Sequence, residues 1–132
     1  MFKYQIPLEK KQEQSVCLKQ FLGISSLMQK PKKKANKLIN KLMLHIGEMN
    51  IQSLDSYWKD NTQYELFGST PLVLERPEEA VFEVLQLAAR LGNENHVIGP
   101  VMNECQVAFE VVCSASTVSG ISWLHMEINN FN

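Results

Sequence analysis

The stretch Leu72 to Gly92, LVLERPEEAVFEVLQLAARLG, sets the tightest limit on how this chain folds. Its apolar run Leu72-Val73-Leu74 is closed by Glu75-Arg76, and Pro77 stands where the first turn of a helix tolerates a missing N–H. Glu78 and Glu79 follow, placing negative charge where the helix dipole favours it. At 100° per residue, Glu79, Glu83, Gln86 and Arg90 form one narrow polar stripe, while Ala80, Val81, Val84, Leu85, Leu87, Ala88 and Leu91 spread over the remaining arc, flanked by Phe82 and Ala89. Gly92 is a natural stop. The spacing predicts a helix over 77–91 whose apolar arc exceeds one packed face. Such a helix is expected to be covered from two sides, by the N-terminal half of the chain or by a second subunit in a homo-oligomer.

From Ala35 onward a second helical pattern is strict: Ala35, Leu38, Ile39, Leu42, Met43, Ile46 and Met49 recur at the spacing of one helix face, with His45 at its margin. Glu9 to Leu22 also favours helix, with Gly23 placed to end it. Strand periodicity appears weakly at Phe2–Ile6 and clearly at Val107–Cys113 and Ile121–Ile128. The last two are expected to form an antiparallel hairpin with Leu124, Met126 and Ile128 on one face and Trp123, His125 and Glu127 on the other. His96–Met102 reads as an edge or bulged strand because Gly99-Pro100 interrupts it. Ser53–Asn61 suggests a helical turn, Gln63–Phe67 a strand, Gly68–Pro71 a turn and Asn93–Asn95 a loop. No internal repeat is visible. Together these patterns predict an α+β fold over 1–132 as a single domain, with N-terminal helices packed with a mainly antiparallel sheet of about four strands and a central helix at 77–91.

At 132 residues, with 45% hydrophobic and 20% charged residues, the chain is large enough to bury a core and too apolar for disorder. No membrane association is expected: the first residues lack the apolar core of a secretory signal, and no run of eighteen apolar residues occurs. Cys17, Cys105 and Cys113 lack CxxC spacing, which suggests reduced thiols in a cytoplasmic protein. The net charge of −1 conceals a division. Residues 1–50 hold ten lysines and three glutamates, a net +7, so residues 51–132 carry −8. That asymmetry admits three explanations: a basic nucleic-acid face, an acidic face for a basic partner, or two halves that attract each other.

Chemistry-bearing motifs are absent. His45, His96 and His125 show neither HxxxH nor HxH spacing, so no metal site is indicated, and nucleotide-loop and nucleophile-elbow motifs are missing, so no cofactor is implied. Cys113 and His125 belong to opposite strand faces, which excludes a thiol–imidazole pair between them. No catalytic residue is assigned and the chain is expected not to be an enzyme. A small hydrolase using His96 or His125 is the minor alternative.

Two surfaces remain. Asp55, Tyr57, Trp58, Asp60, Tyr64 and Glu65 combine large aromatics with carboxylates, a composition suited to a protein partner with a basic surface. Lys33, Lys34, Lys37 and Lys41, within the basic segment Lys30 to Lys41, form a stripe that could follow a phosphate backbone, although it carries no arginine and no base-stacking aromatic. In size and composition the chain resembles the immunity proteins of bacterial toxin–immunity pairs, with no motif carrying the likeness. That resemblance implies a cytoplasmic protein-binding module that occludes the basic active site of a toxin such as a nuclease.

Overall fold

The computed structural model describes residues 19–73 and 76–130, and of residues 19 and 73 only the backbone. Within it, Leu22, Ile24, Ser26 and Met28 are buried while Phe21, Gly23, Ser25 and Leu27 turn the other way, the period-two alternation of a strand with one core face. This strand, β1 (Lys19–Gln29), is central to a six-stranded sheet. The helix α1 (Lys32–Ile46) follows, then the strands β2 (Asn50–Tyr57) and β3 (Asp60–Val73), the helix α2 (Pro77–Leu91), and the strands β4 (Gly92–Met102), β5 (Val107–Ser116) and β6 (Ile121–Asn129). The spatial order is β2-β3-β1-β6-β5-β4, with every neighbouring pair antiparallel.

Both helices lie on one face of the sheet. Ala35, Leu38, Ile39 and Leu42 of α1 join Ala80, Val81, Val84, Leu87, Ala88 and Leu91 of α2 in a single buried cluster. The inner strand residues of that cluster include Leu22, Ile24, Leu66, Phe109, Val111, Met126 and Ile128. Fully burying each large aliphatic or aromatic side chain contributes about 1.5–3 kcal/mol, which makes this face the main source of stability. Met43 and Ile46 are half-buried, and His45 is exposed rather than tucked at the seam.

Local chemistry explains the helix ends. The Glu79 carboxylate accepts the Arg76 N–H at 3.0 Å, holding the start of α2. At its other end the last carbonyls accept side-chain donors from β4, from β5 and from the residue after β5. The Asn95 amide donates to Ala88 O at 3.0 Å, Thr117 Oγ1 to Arg90 O at 2.8 Å and Ser116 Oγ to Leu91 O at 3.0 Å. Gly92 is not left-handed, with φ −113°. It ends the helix by its small size, since a Cβ there would collide with the Asn95 side chain and lie 2.6 Å from Cys113 Sγ.

Several expectations change. The sheet has six strands, not about four, and the predicted first strand and most of the Glu9–Leu22 helix lie outside the described residues. Lys19 to Leu22 belongs to β1, so Phe21 and Leu22 face opposite ways. Ser53–Asn61 contains the end of β2 and the start of β3, joined by a tight turn at Trp58-Lys59. Gly68–Pro71 continues β3 because Gly68 gives room to the Met49 thioether and the Thr70 hydroxyl donates to Glu48 O at 2.7 Å. Asn93–Asn95 is part of β4, an edge strand whose register with β5 shifts between Gly92 and Glu94, between Glu94 and Asn95, and between Ile98 and Val101. The outer side of α2 is not covered: Phe82 is 61% and Leu85 40% exposed. The sheet packs only one side of its apolar arc.

Because Gly92 is enclosed by two side chains, Gly92→Ala is expected to destabilise the protein by about 1–3 kcal/mol, the usual cost of forcing atoms into a packed site. Urea unfolding checks this. Gly92→Ala combined with Asn95→Ala should recover part of the loss, after allowing for the cap that Asn95 supplies.

Candidate functional site on the outer face of the sheet

Opposite the helices, the sheet presents a second face whose side chains are identified by register. Asp55 pairs with Glu65, Glu65 with Leu27, and Leu27 with Trp123, which makes one row across β2, β3, β1 and β6. A second row runs through Phe67, Ser25, His125, Val112 and His96. In a third, Gly23, Glu127 and Glu110 are successive partners. Asp55, Glu65, Glu110 and Glu127 therefore share this face. No lysine or arginine occupies an outward-facing strand position among those whose side chains are described.

The first row is deformed into a cleft. On β6, Ile121 and Leu124 are both buried, so Ser122 and Trp123 both fall on the outer side, and the register with β1 shifts at Leu27/Met28. This bulge re-aims the indole. Ser26, fully buried on the inner face of β1, donates its hydroxyl to Trp123 O at 3.1 Å, satisfying a carbonyl at the bulge. Trp123 stacks on His125, with ring centroids 5.8 Å apart and planes at 22°. His125 Nε2 lies 3.1 Å from Glu110 Oε1. Leu27, Tyr57, Glu65 and Trp123 line an open cavity of about 280 Å³.

Its rim is ordered by the β2–β3 hairpin. Asp60 accepts from Thr62 Oγ1 at 2.6 Å, from Thr62 N at 3.0 Å and from Gln63 Nε2 at 2.9 Å. The Thr62 hydroxyl, then the Thr62 amide and the Gln63 amide, with a smaller contribution from the nearby Lys30 charge, hold its carboxyl below the usual carboxylate range against an opposing effect of desolvation. Gln63 Oε1 in turn accepts from the Ser122 hydroxyl, tying the hairpin to the bulge of β6.

All six aromatic and acidic residues singled out in the sequence lie on this hairpin, but they point in different directions. Tyr57, Glu65 and Asp55 belong to the outer face, with Tyr57 and Glu65 in the cleft. Trp58 is 80% exposed at the turn, edge-on to Tyr57 at 6.3 Å and beneath the Lys59 ammonium at 4.9 Å. Asp60 serves the turn. Tyr64 faces the helices, packs against the core and carries Lys30 Nζ at 5.0 Å over its ring. The sequence reading missed Leu27 and did not connect Trp123 with the hairpin, because their proximity depends on β1 lying beside β6.

His96 and His125 share the outer face with Val112 between them. Two strand spacings, roughly 10 Å, separate their backbones, and nothing in this register joins them as an acid–base pair. Cys113 is a free, buried thiol on the opposite face, its pKa pushed up by desolvation. Cys105 is disulfide-bonded, which corrects the expectation of three reduced thiols. Among the described residues no group of three or more histidines, cysteines and carboxylates could hold a metal ion, and no helix is long and apolar enough to cross a membrane. Lys33, Lys34, Lys37 and Lys41 are exposed on α1. No protein-family model, curated protein or solved structure matches this chain.

Two outcomes test this geometry. The Asp60 carboxylate is the ionised acceptor of three hydrogen bonds and its pKa is lowered in the folded state, so its stabilisation is present above the unfolded-state pKa and is lost as pH falls through the lowered one. Acid titration followed by amide NMR should show Thr62 N–H moving with Asp60, and Asp60→Asn should abolish that transition. Ser26→Ala should cost about 1–3 kcal/mol in urea unfolding, because it leaves a part-buried carbonyl without its donor, and should shift the Trp123 indole resonance.

Proposed function

We propose that the chain is a non-enzymatic protein-binding module that covers a basic surface on its partner with the outer face of its sheet. The observation that carries this reading is the charge of that face: Asp55, Glu65, Glu110 and Glu127 share it without a described lysine or arginine among its strand positions. Glu110 and Glu127 are direct cross-strand partners. Like charges in that position disfavour the free protein, and a basic partner would relieve the repulsion. Tyr57, Trp58 and Trp123 supply aromatic area beside the carboxylates, a combination common where binding energy concentrates.

The implied partner is the basic active surface of a toxin domain such as a nuclease, occluded in the manner of an immunity protein. No proposed contact requires catalysis, metal or cofactor. Bacterial origin and a cytoplasmic setting belong to the same proposal. A second reading, nucleic-acid contact through Lys33, Lys34, Lys37 and Lys41, is favoured only by their exposure on α1.

A trade-off between stability and binding tests the first reading. Glu127→Gln should stabilise the free protein by about 0.2–1 kcal/mol, as removal of a facing like charge does, while weakening the complex with a basic toxin domain encoded in the adjacent reading frame. Calorimetry should show affinity that falls with salt and falls further in Asp55→Lys. The Lys33, Lys34, Lys37 and Lys41 to Glu variant should bind as the unaltered protein does. Loss of binding only in the lysine variant, or affinity indifferent to the acidic face, would overturn occlusion by this face.

A further inference from the structure

We infer that the cleft formed by Leu27, Tyr57, Glu65 and Trp123 is a receptor for one arginine side chain, presented by a protein partner. This rests on the protein-binding reading above and names the anchor group that the surface would take. Pockets for drug-sized ligands span about 300–1,000 Å³, so an open cavity of about 280 Å³ is small for a cofactor and suited to one side chain. Its lining is specific. Two aromatic residues and a leucine offer apolar and π surfaces, and among the described lining residues Glu65 supplies the carboxylate that a cation would meet.

A guanidinium satisfies this lining better than an ammonium does. It is planar, stacks on an indole or phenol face, and presents paired N–H donors to a carboxylate. Its alkyl stem can lie along Leu27 while the head group meets Glu65. The neighbouring carboxylates Asp55, Glu110 and Glu127 give the face a negative field, favouring approach of a cation and disfavouring an anionic ligand.

The lining is held in place before anything binds. Glu110 meets His125, His125 stacks on Trp123, and Ser26 holds the Trp123 carbonyl. On the other side Asp60 and Ser122 both hydrogen-bond Gln63 at the rim. Preorganised walls reduce the ordering cost of binding.

The test uses the full chain and N-acetyl-arginine amide, with the uncharged citrulline analogue and the lysine analogue as comparisons. Indole NMR separates Trp123 from Trp58. A saturable shift of the Trp123 indole N–H is expected with the arginine compound, with weaker binding of the lysine compound and none of citrulline. Glu65→Gln should weaken arginine binding by roughly tenfold, as loss of one charge-assisted contact does. A Glu78→Gln variant, which removes a carboxylate at the start of α2, away from the cleft, should leave it unchanged. No saturable Trp123 shift, equal binding of citrulline, or undiminished binding in Glu65→Gln would overturn the assignment. These outcomes are independent of the basic partner: a complex that weakens in Asp55→Lys but not in Glu65→Gln would retain the occluding face and remove the arginine anchor.

Discussion

The two halves of the sheet are joined through the ladder between β1 and β6. Leu22 faces Ile128, Ile24 faces Met126 and Ser26 faces Leu124 across that seam, with all six side chains buried. On one side β1 is extended by β3 and β2, and on the other β6 is extended by β5 and β4. The contacts bring together residues about a hundred positions apart in sequence, so their loop-closure entropy must be met before the seam stabilises anything. The cleft lies across this seam. Tyr57, Glu65 and Leu27 come from the first half and Trp123 from the second, so the cleft exists only when the halves are joined.

Legibility in the sequence followed the distance over which each feature is determined. Val107–Cys113, Ile121–Ile128 and Pro77–Leu91 were readable because local alternation, proline placement and glycine agree with the final packing. β1 was not. Its segment FLGISSLM departs from simple alternation at Ser26, a serine facing the core, and Leu27, a leucine facing outward. Those two residues hold the bulge and line the cleft, so the positions that obscured the strand are the ones that shape the candidate site. Gly68 to Pro71 misled for a related reason. Gly68 and Thr70 look like turn formers, yet inside β3 one accommodates Met49 and the other binds the backbone after α1.

The charge division also acquires a different meaning in three dimensions. Mutual attraction between the halves predicts lysine–carboxylate contacts between them. Instead the α1 lysines are exposed on the helix layer, and the carboxylates Asp55, Glu65, Glu110 and Glu127 lie on the opposite face of the sheet. Among the described residues no ion pair joins Lys33, Lys34, Lys37 or Lys41 to a carboxylate. The α1 lysines and these four carboxylates therefore lie on opposite layers, while Lys30, from the N-terminal half, contributes to holding the Asp60 carboxyl low. Charge separated in this way would orient a charged partner before contact, an effect on association rate and specificity more than on the strength of any single contact.

The outer face combines a cost with a constraint. Glu110 and Glu127 face one another across adjacent strands, and only Glu110 has His125 beside it at 3.1 Å, with side-chain exposures of 32% and 19% respectively. Facing like charges disfavour the isolated sheet, and only Glu110 has the contact with His125 to offset that cost. The pair does place negative field beside Trp123 while leaving His125 to hold the indole from one side. Fixing that ring by stacking and by the Ser26 bond costs order within the fold, where the core can sustain it, and leaves less order to be lost when a partner binds. The same logic accounts for a buried serine on a strand otherwise lined by leucine, isoleucine and methionine: its hydroxyl contributes less to the core than an alkyl group would, but it fixes the bulge that gives Trp123 its direction.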